Sequence, residues 1–330
     1  MHPKKYVANY FLVAQEIIEK FHPDTIVTMQ FFQRHDNAIL CGINEVLNFL
    51  ELNTNTRNYK IKYLPEGVKI KALEPVLELE GHYWDFGIYE GVIDGILARS
   101  TSIATNAYEC KQAAQGKDII YMGDRGDHYI NQEIDGHAVE VGGLVGHSTM
   151  AGSRGNPDVI FGSIPHALIQ HFEGDLVQAM EAYKAVFPKE KDLVALVDFN
   201  NDVINDSLKV LKVFGKQLNG VRVDTAKNMV DHMFDGQEPQ YGVNVAQIKR
   251  LRQVLDEHGG QHVRIIVSSS FTPEKIAQFE AQNAPVAAYG VGDYILKVKI
   301  GFTCDAVKKN GRKLAKEGRG YQENPRFIEY

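Results

Sequence analysis

The chain has 330 residues, 44% of them apolar and 24% charged, the composition of a folded globular protein rather than a disordered or fibrous one. At roughly 150 residues per domain there is room for about two domains. A net charge of −6 argues against a general nucleic-acid binder, and the longest apolar runs are too short to span a membrane.

Tyr6, Tyr10, Val13, Ile17 and Phe21 recur at helical spacing and predict a first helix over 5–21. Residues 25–32 are β-rich. Leu40, Ile43, Leu47 and Leu50 predict a second helix, and short β-like runs follow at 67–70 and 76–79. Residues 90–114 read as a long helix with small residues on one face. From about 117 the rhythm changes. Apolar runs at 118–122, 141–145, 159–161, 193–197, 221–223, 263–267 and 285–288 alternate with amphipathic stretches, clearest at 175–186, 202–218, 244–258 and 273–282. Such alternation implies parallel strands joined by crossover helices, and the number of units favours a barrel over an open sheet. β-like runs return at 294–299 and 303–307.

The basic opening is interrupted by Gln15 and Glu16 and lacks an apolar core and cleavage site, so no signal peptide is expected. Cys41, Cys110 and Cys304 are scattered, with no CxxC. That argues against a disulfide framework or structural zinc and points to a reducing cytoplasm. No GxxxxGK[ST], strand-following GxGxxG, HExxH or GxSxG is present. Any active site is therefore assembled from scattered strand ends.

In a parallel barrel, chemistry projects from the loops after the strands. Those loops read Gly-Asp-Arg-Gly-Asp-His (123–128), Gly-His-Ser-Thr (146–149), Gly-Ser-Ile-Pro-His (162–166), Asp198 with Asn200 and Asn201, Ser268 to Ser270, and Gly-Val-Gly-Asp (290–293). Arg222 and Asp224 alternate with Val221 and Val223, so both point the same way along a strand. Small-residue turns at helix starts bind phosphate through free N–H groups. Arginine and carboxylates nearby suit a sugar diphosphate held through a divalent cation. The plainer alternative is ordinary turn chemistry. No lysine sits at a predicted strand end, which counts against a Schiff-base barrel.

With these residues collected, the sequence resembles the nicotinate phosphoribosyltransferases, a type II phosphoribosyltransferase family. The resemblance rests on YFLVAQEI, MQFFQR, LPEG, EGVIDGILARSTSIATNA, GDRG, GSIPHALI, LVDFNND, GVRVD, SSSFTPEKI, AYGVGDY and GFTCDAVKKNGRKLAKEGR, in that order. It implies an α/β fold: an N-terminal α/β sandwich over 1–116, an irregular (β/α) barrel over 117–293, and C-terminal strands over 294–330 returning to the first domain. It further implies transfer of phosphoribosyl from phosphoribosyl pyrophosphate to nicotinate, coupled to ATP hydrolysis. Magnesium and a homodimer with composite sites are also implied, with no nucleic-acid or membrane partner.

The resemblance assigns roles by position. His166 matches a transiently phosphorylated histidine. Pro165 fits the first position of a helix, whose dipole would favour neutral imidazole. Arg125 matches the arginine that holds the nicotinate carboxylate, although position 126 is Gly where nicotinate enzymes have a second arginine. Tyr10 matches the tyrosine that stacks on the pyridine from the partner subunit. Arg222 and Asp224 match an Arg-x-Asp pair for phosphate and for ribose or metal, with Asp198 as a second carboxylate. Ser269, Ser270, Gly290 and Gly292 would cradle the 5′-phosphate, with serines where relatives place glycines. Arg34 would reach the diphosphate across the interface. Ser148 stands where nicotinamide enzymes carry an amide-reading aspartate, which favours nicotinate. Each residue also has a plain structural alternative: a helix-start histidine, a surface ion pair, a core aromatic, a strand Arg–Asp pair or a turn cap. Nicotinamide or quinolinate transfer, and a non-catalytic phosphosugar-binding barrel, are the alternative functions.

Overall fold

The computed structural model describes residues 3–189 and 192–330. The chain divides into two compact units, one of Met1–Asn106, Ala138–Gly143 and Lys297–Tyr330, the other of Ala107–His137 and Leu144–Leu296. The division falls inside the long helix Glu90–Ala113.

The first unit is built on an antiparallel sheet. Its strand order is Arg312–Lys313, Phe302–Lys309, Ile26–Gln33, Leu77–His82, Lys60–Tyr63 and Ile328–Glu329. The C-terminal strand Phe302–Lys309 lies against the N-terminal strand Ile26–Gln33, with Cys304 opposite Phe31. The last residues of the chain thus complete the first domain's sheet. Met29, Phe31, Leu77 and Leu79 point to one side and pack with Ile43, Val46, Leu50, Ile93 and Leu97 from two helices. Period-two strands meeting helices of period 3.6 form that core. The second expected helix begins at Ile43 rather than Leu40, because Gly42 takes a left-handed φ of 93° just before it.

The second unit holds a six-stranded sheet whose neighbouring strands all run parallel. The order is Gly146–His147, Asp118–Tyr121, Ala288–Val291, Arg264–Val267, Leu218–Val223 and Leu193–Leu196. The sheet curls into a half-barrel. Its amphipathic helices cover it. Val203–Phe214, for example, buries Val203, Val210, Leu211 and Phe214, is capped by the Asp202 side chain, and ends before Gly215.

Several predicted strands differ in place or kind. The run at 141–145 is the end of helix Gln132–Val141 and a turn. Gly142 and Gly143 donate back to Ala138 and Glu140, a helix stop that the apolar pattern hid. The run at 159–161 supplies one parallel bridge, Ile160 to His147, after the 3-10 turn Pro157–Val159. The seventh unit is therefore vestigial, and among the described residues no pairing closes the sheet into a ring. The strand placed at 285–288 starts at Ala288, since Pro285 has no N–H to give a ladder. Residues 294–299 form no strand. The N–H groups of Lys299 and Ile300 go instead to the Ser102 hydroxyl.

Candidate active site

Residues following the parallel strands form a row at the carboxyl ends of the second unit's sheet. Such ends carry function because polar groups collect there while the sheet itself is apolar on both faces. Val197 N–H donates to the Arg222 carbonyl at 3.1 Å, setting Asp198 beside the strand that carries Arg222 and Asp224. On the next strand, Ser268 N–H bonds the Val223 carbonyl at 3.0 Å, and its hydroxyl donates to Asp224 Oδ1 at 2.6 Å. Further along, Met122 N–H bonds the Val291 carbonyl at 2.9 Å and Ser148 N–H the Tyr121 carbonyl at 3.1 Å.

His166 opens the short helix His166–His171, with Pro165 as its N-cap in extended conformation. The expectation of Pro165 inside the helix is thus off by one residue. His166 Nε2 lies 3.1 Å from Asp198 Oδ2. The imidazole is half exposed while the carboxylate is only 6% exposed. Donating its Nε2–H to Asp198 raises the His166 pKa, aided by the charges of Asp198 and Asp224. Desolvation and Arg222 oppose the rise. The dipole of a six-residue helix is worth well under a full charge, so the carboxylate wins. The expected bias toward neutral imidazole is therefore corrected. His171, five residues on, is structural: its ring bonds the Ala167 carbonyl at 2.7 Å.

Two polar atoms in this row are buried without a hydrogen-bond partner among the described residues, Asp198 Oδ1 and Arg222 Nε. Leaving a buried donor or acceptor unmet costs about 1–3 kcal/mol, more for charged groups. Orphans of opposite charge on adjacent strands therefore point to a polar ligand that carries both donors and anionic oxygens.

The serine turn is strained. Ser269 and Ser270 hold φ of 79° and 55°, where non-glycine residues lose roughly 1–2 kcal/mol each. Glycines, which the resemblance places at these positions in relatives, would hold the same φ without that cost. Gly290 and Gly292 have a further requirement. A Cβ on Gly290 would fall 2.5 Å from Met122 Sδ, and one on Gly292 2.5 Å from the Met122 carbonyl oxygen. Their place in the row is fixed by close strand approach.

Arg125 is exposed on the loop after Asp118–Tyr121. A side chain at Gly126 would begin 2.5 Å from Cδ1 of buried Leu296, so the missing second arginine has a steric correlate. Ser148 is half-buried one strand away. Tyr10 and Arg34 belong to the other unit. Tyr10 is 67% exposed on helix Asn9–Phe21. Arg34 donates to the Thr303 hydroxyl at 3.0 Å and lies over the Phe32 ring.

Two contacts at the row were not legible in the sequence. Ser268 reads as one of three serines, and only the sheet register shows which of them meets Asp224. Lys275 follows no strand, yet from helix Pro273–Ala281 its ammonium reaches back to the Ser269 carbonyl at 3.4 Å.

A family model described as quinolinate phosphoribosyl transferase, N-terminal domain, matches residues 10–101. A nicotinate phosphoribosyltransferase of Bacillus subtilis is 27% identical over 241 residues, 71% of this chain and 45% of the relative. The chain thus spans about half the length of that relative. A crystal structure of nicotinate-nucleotide pyrophosphorylase from Pyrococcus furiosus superposes with a TM-score of 0.83 at 29% identity, covering 99% of this chain and 82% of the other. Human nicotinic acid phosphoribosyltransferase superposes with a TM-score of 0.73 at 16% identity, over 93% of this chain and 75% of the other. This chain has the type II phosphoribosyltransferase fold and resembles nicotinate phosphoribosyltransferases in sequence. Among the described residues no helix is long and apolar enough to cross a membrane.

Proposed function

We propose that the chain is a nicotinate phosphoribosyltransferase acting in NAD salvage. The pyridine nitrogen of nicotinate attacks the anomeric carbon of phosphoribosyl pyrophosphate. A C–N bond forms as the C–O bond to the diphosphate breaks, giving nicotinate mononucleotide and pyrophosphate. The observation that carries this reading is the orphaned pair Asp198 Oδ1 and Arg222 Nε beside His166 and Asp224. A departing diphosphate needs positive charge close to its oxygens, and a guanidinium short of one partner supplies it.

Magnesium fits the carboxylates. His166, Asp198 and Asp224 do not close into a three-ligand cage, and magnesium usually takes one or two protein carboxylates with substrate phosphates and water. Asp224, braced by Ser268, and Asp198 would hold it, and it would neutralise the diphosphate. Arg125 would clasp the nicotinate carboxylate, and the serine turn with Gly290 and Gly292 would hold the 5′-phosphate.

His166 would couple ATP to the reaction. With its Nε2–H donated to Asp198, Nδ1 keeps a lone pair for the terminal phosphoryl group of ATP. The N–P bond forms as the bond to ADP breaks, and water later releases phosphate. Tyr10 and Arg34 would complete the site from the partner of a homodimer.

The decisive experiment is a product assay with phosphoribosyl pyrophosphate and each of nicotinate, nicotinamide and quinolinate, with and without ATP. Mononucleotide formed from nicotinate and stimulated by ATP is expected; no product from any pyridine overturns the reading. His166→Ala should lose ATP hydrolysis and keep slow ATP-independent transfer. A second reading, quinolinate as the pyridine, is favoured by the quinolinate-type domain match and the pyrophosphorylase likeness. A substrate with two carboxylates asks for more cations than Arg125 and Arg222, and the same assay separates the two.

A further inference from the structure

Behind the strand-end serine turn lies a cation that this chemistry leaves without a role. Lys275 folds back so that its Nζ sits 4.3 Å from the centroid of the Phe271 ring and 6.0 Å from that of Phe279, both rings buried. The ammonium donates to the Ser269 carbonyl at 3.4 Å. Burial lowers its pKa to about 8, so the ammonium still carries its proton at neutral pH.

The geometry of one peptide group gives this contact its meaning. A trans peptide is planar, with C=O and N–H on opposite sides, and no peptide of the described chain is cis. Anchoring the Ser269 oxygen on Lys275 therefore turns the Ser270 N–H away from the lysine, at a turn where both serines hold left-handed φ, 79° and 55°. A cation on the carbonyl also polarises the amide and strengthens its N–H as a donor. Resting on the phosphoribosyl reading above, we infer that Lys275 is a positioning residue for the sugar phosphate: it aims and polarises the Ser270 N–H toward the 5′-phosphate without touching the ligand.

The test compares two probes by calorimetry on the full chain, ribose 5-phosphate and magnesium pyrophosphate. Lys275→Met keeps the apolar stem between the rings and removes the ammonium. It should weaken ribose 5-phosphate about tenfold, in the range of one hydrogen bond to a charged group, and leave magnesium pyrophosphate unchanged. Turnover should show a raised KM for phosphoribosyl pyrophosphate with kcat and the KM for nicotinate little altered. Lys275→Gln, which keeps an N–H donor but no charge, should fall between the two. A merely structural lysine would weaken both probes together even if the variant melts lower, and that result, or no change in either, overturns the inference. A wild-type protein that binds neither probe removes the phosphoribosyl reading itself and this role with it.

Discussion

His166, at the start of a helix, and Asp198, in the loop after a strand, meet at 3.1 Å, and the second oxygen of that carboxylate is buried with no partner among the described residues. One oxygen fixes the imidazole, and on the proposed reading the other is left for a ligand. Removing the charge but keeping the shape should separate these jobs.

Asp198→Asn should lower the His166 pKa, because the hydrogen bond to a charged carboxylate is the largest of the effects that raise it. The sign for stability follows. A histidine with a raised folded pKa stabilises the fold below its unfolded pKa, and that contribution fades as pH rises through the folded value. The variant should lose this acid-side stabilisation. On the proposed phosphohistidine reading the sign for activity is opposite: attack on ATP would need neutral imidazole, and the acid limb of ATP hydrolysis should move to lower pH in Asp198→Asn. An NMR titration of the His166 ring gives the direct check. An unmoved midpoint would mean that the carboxylate does not control the ring.

The helix Asn9–Phe21 exposes a stripe of apolar side chains. Tyr10, Val13, Ile17 and Phe21 are 67%, 47%, 53% and 66% exposed. Spaced at three and four residues they form one face, and contiguous exposed apolar area marks an interface. If that face joins two copies and brings Tyr10 to the partner's site, Ile17→Asp should yield monomers in sedimentation velocity and lose transferase activity at the same concentration. A fully active monomeric variant sinks both the homodimer and the composite site.

Gly290→Ala and Gly292→Ala should destabilise the second unit by different amounts. The new methyl meets the flexible Met122 thioether in the first case and the Met122 backbone carbonyl in the second, each at 2.5 Å. Over-packing costs about 1–3 kcal/mol where side chains give way, so Gly290→Ala falls in that range and Gly292→Ala exceeds it. Urea midpoints measure the difference. Met122→Ala should rescue Gly290→Ala and leave Gly292→Ala unrescued.

The strand-helix alternation made the second unit legible, because parallel strands buried on both faces must be short and apolar. Asp198, Arg222 and Asp224 stood out because polar residues interrupt or follow those runs. What escaped had no local signal. The run at 141–145 is apolar enough for a strand, and only the paired glycines 142 and 143 mark a helix end. The bond from Ser268 to Asp224 depends on the register of two strands more than forty residues apart in sequence. Lys275 stands four residues from each of Phe271 and Phe279, a spacing that puts the three side by side, but that both rings are buried is set by tertiary packing.

Ser148 gives the sharpest test of which pyridine is used. It follows the edge strand Gly146–His147, is half-buried, and its N–H is held by the Tyr121 carbonyl. The backbone is thus fixed from the strand that leads to Arg125, and on the proposed reading the hydroxyl donates to the nicotinate carboxylate. An aspartate there would face the same carboxylate. Two like unit charges about 4 Å apart repel by roughly 4 kcal/mol at an effective dielectric near 20. Ser148→Asp should therefore lose most nicotinate activity, and nicotinamide, which offers an N–H to the new carboxylate, should gain relative to it. A serine that merely caps a turn predicts lower stability and no change of preference. Measuring kcat/KM for both pyridines in wild type and variant, with melting temperature alongside, decides between them: an unchanged ratio removes Ser148 as the selector.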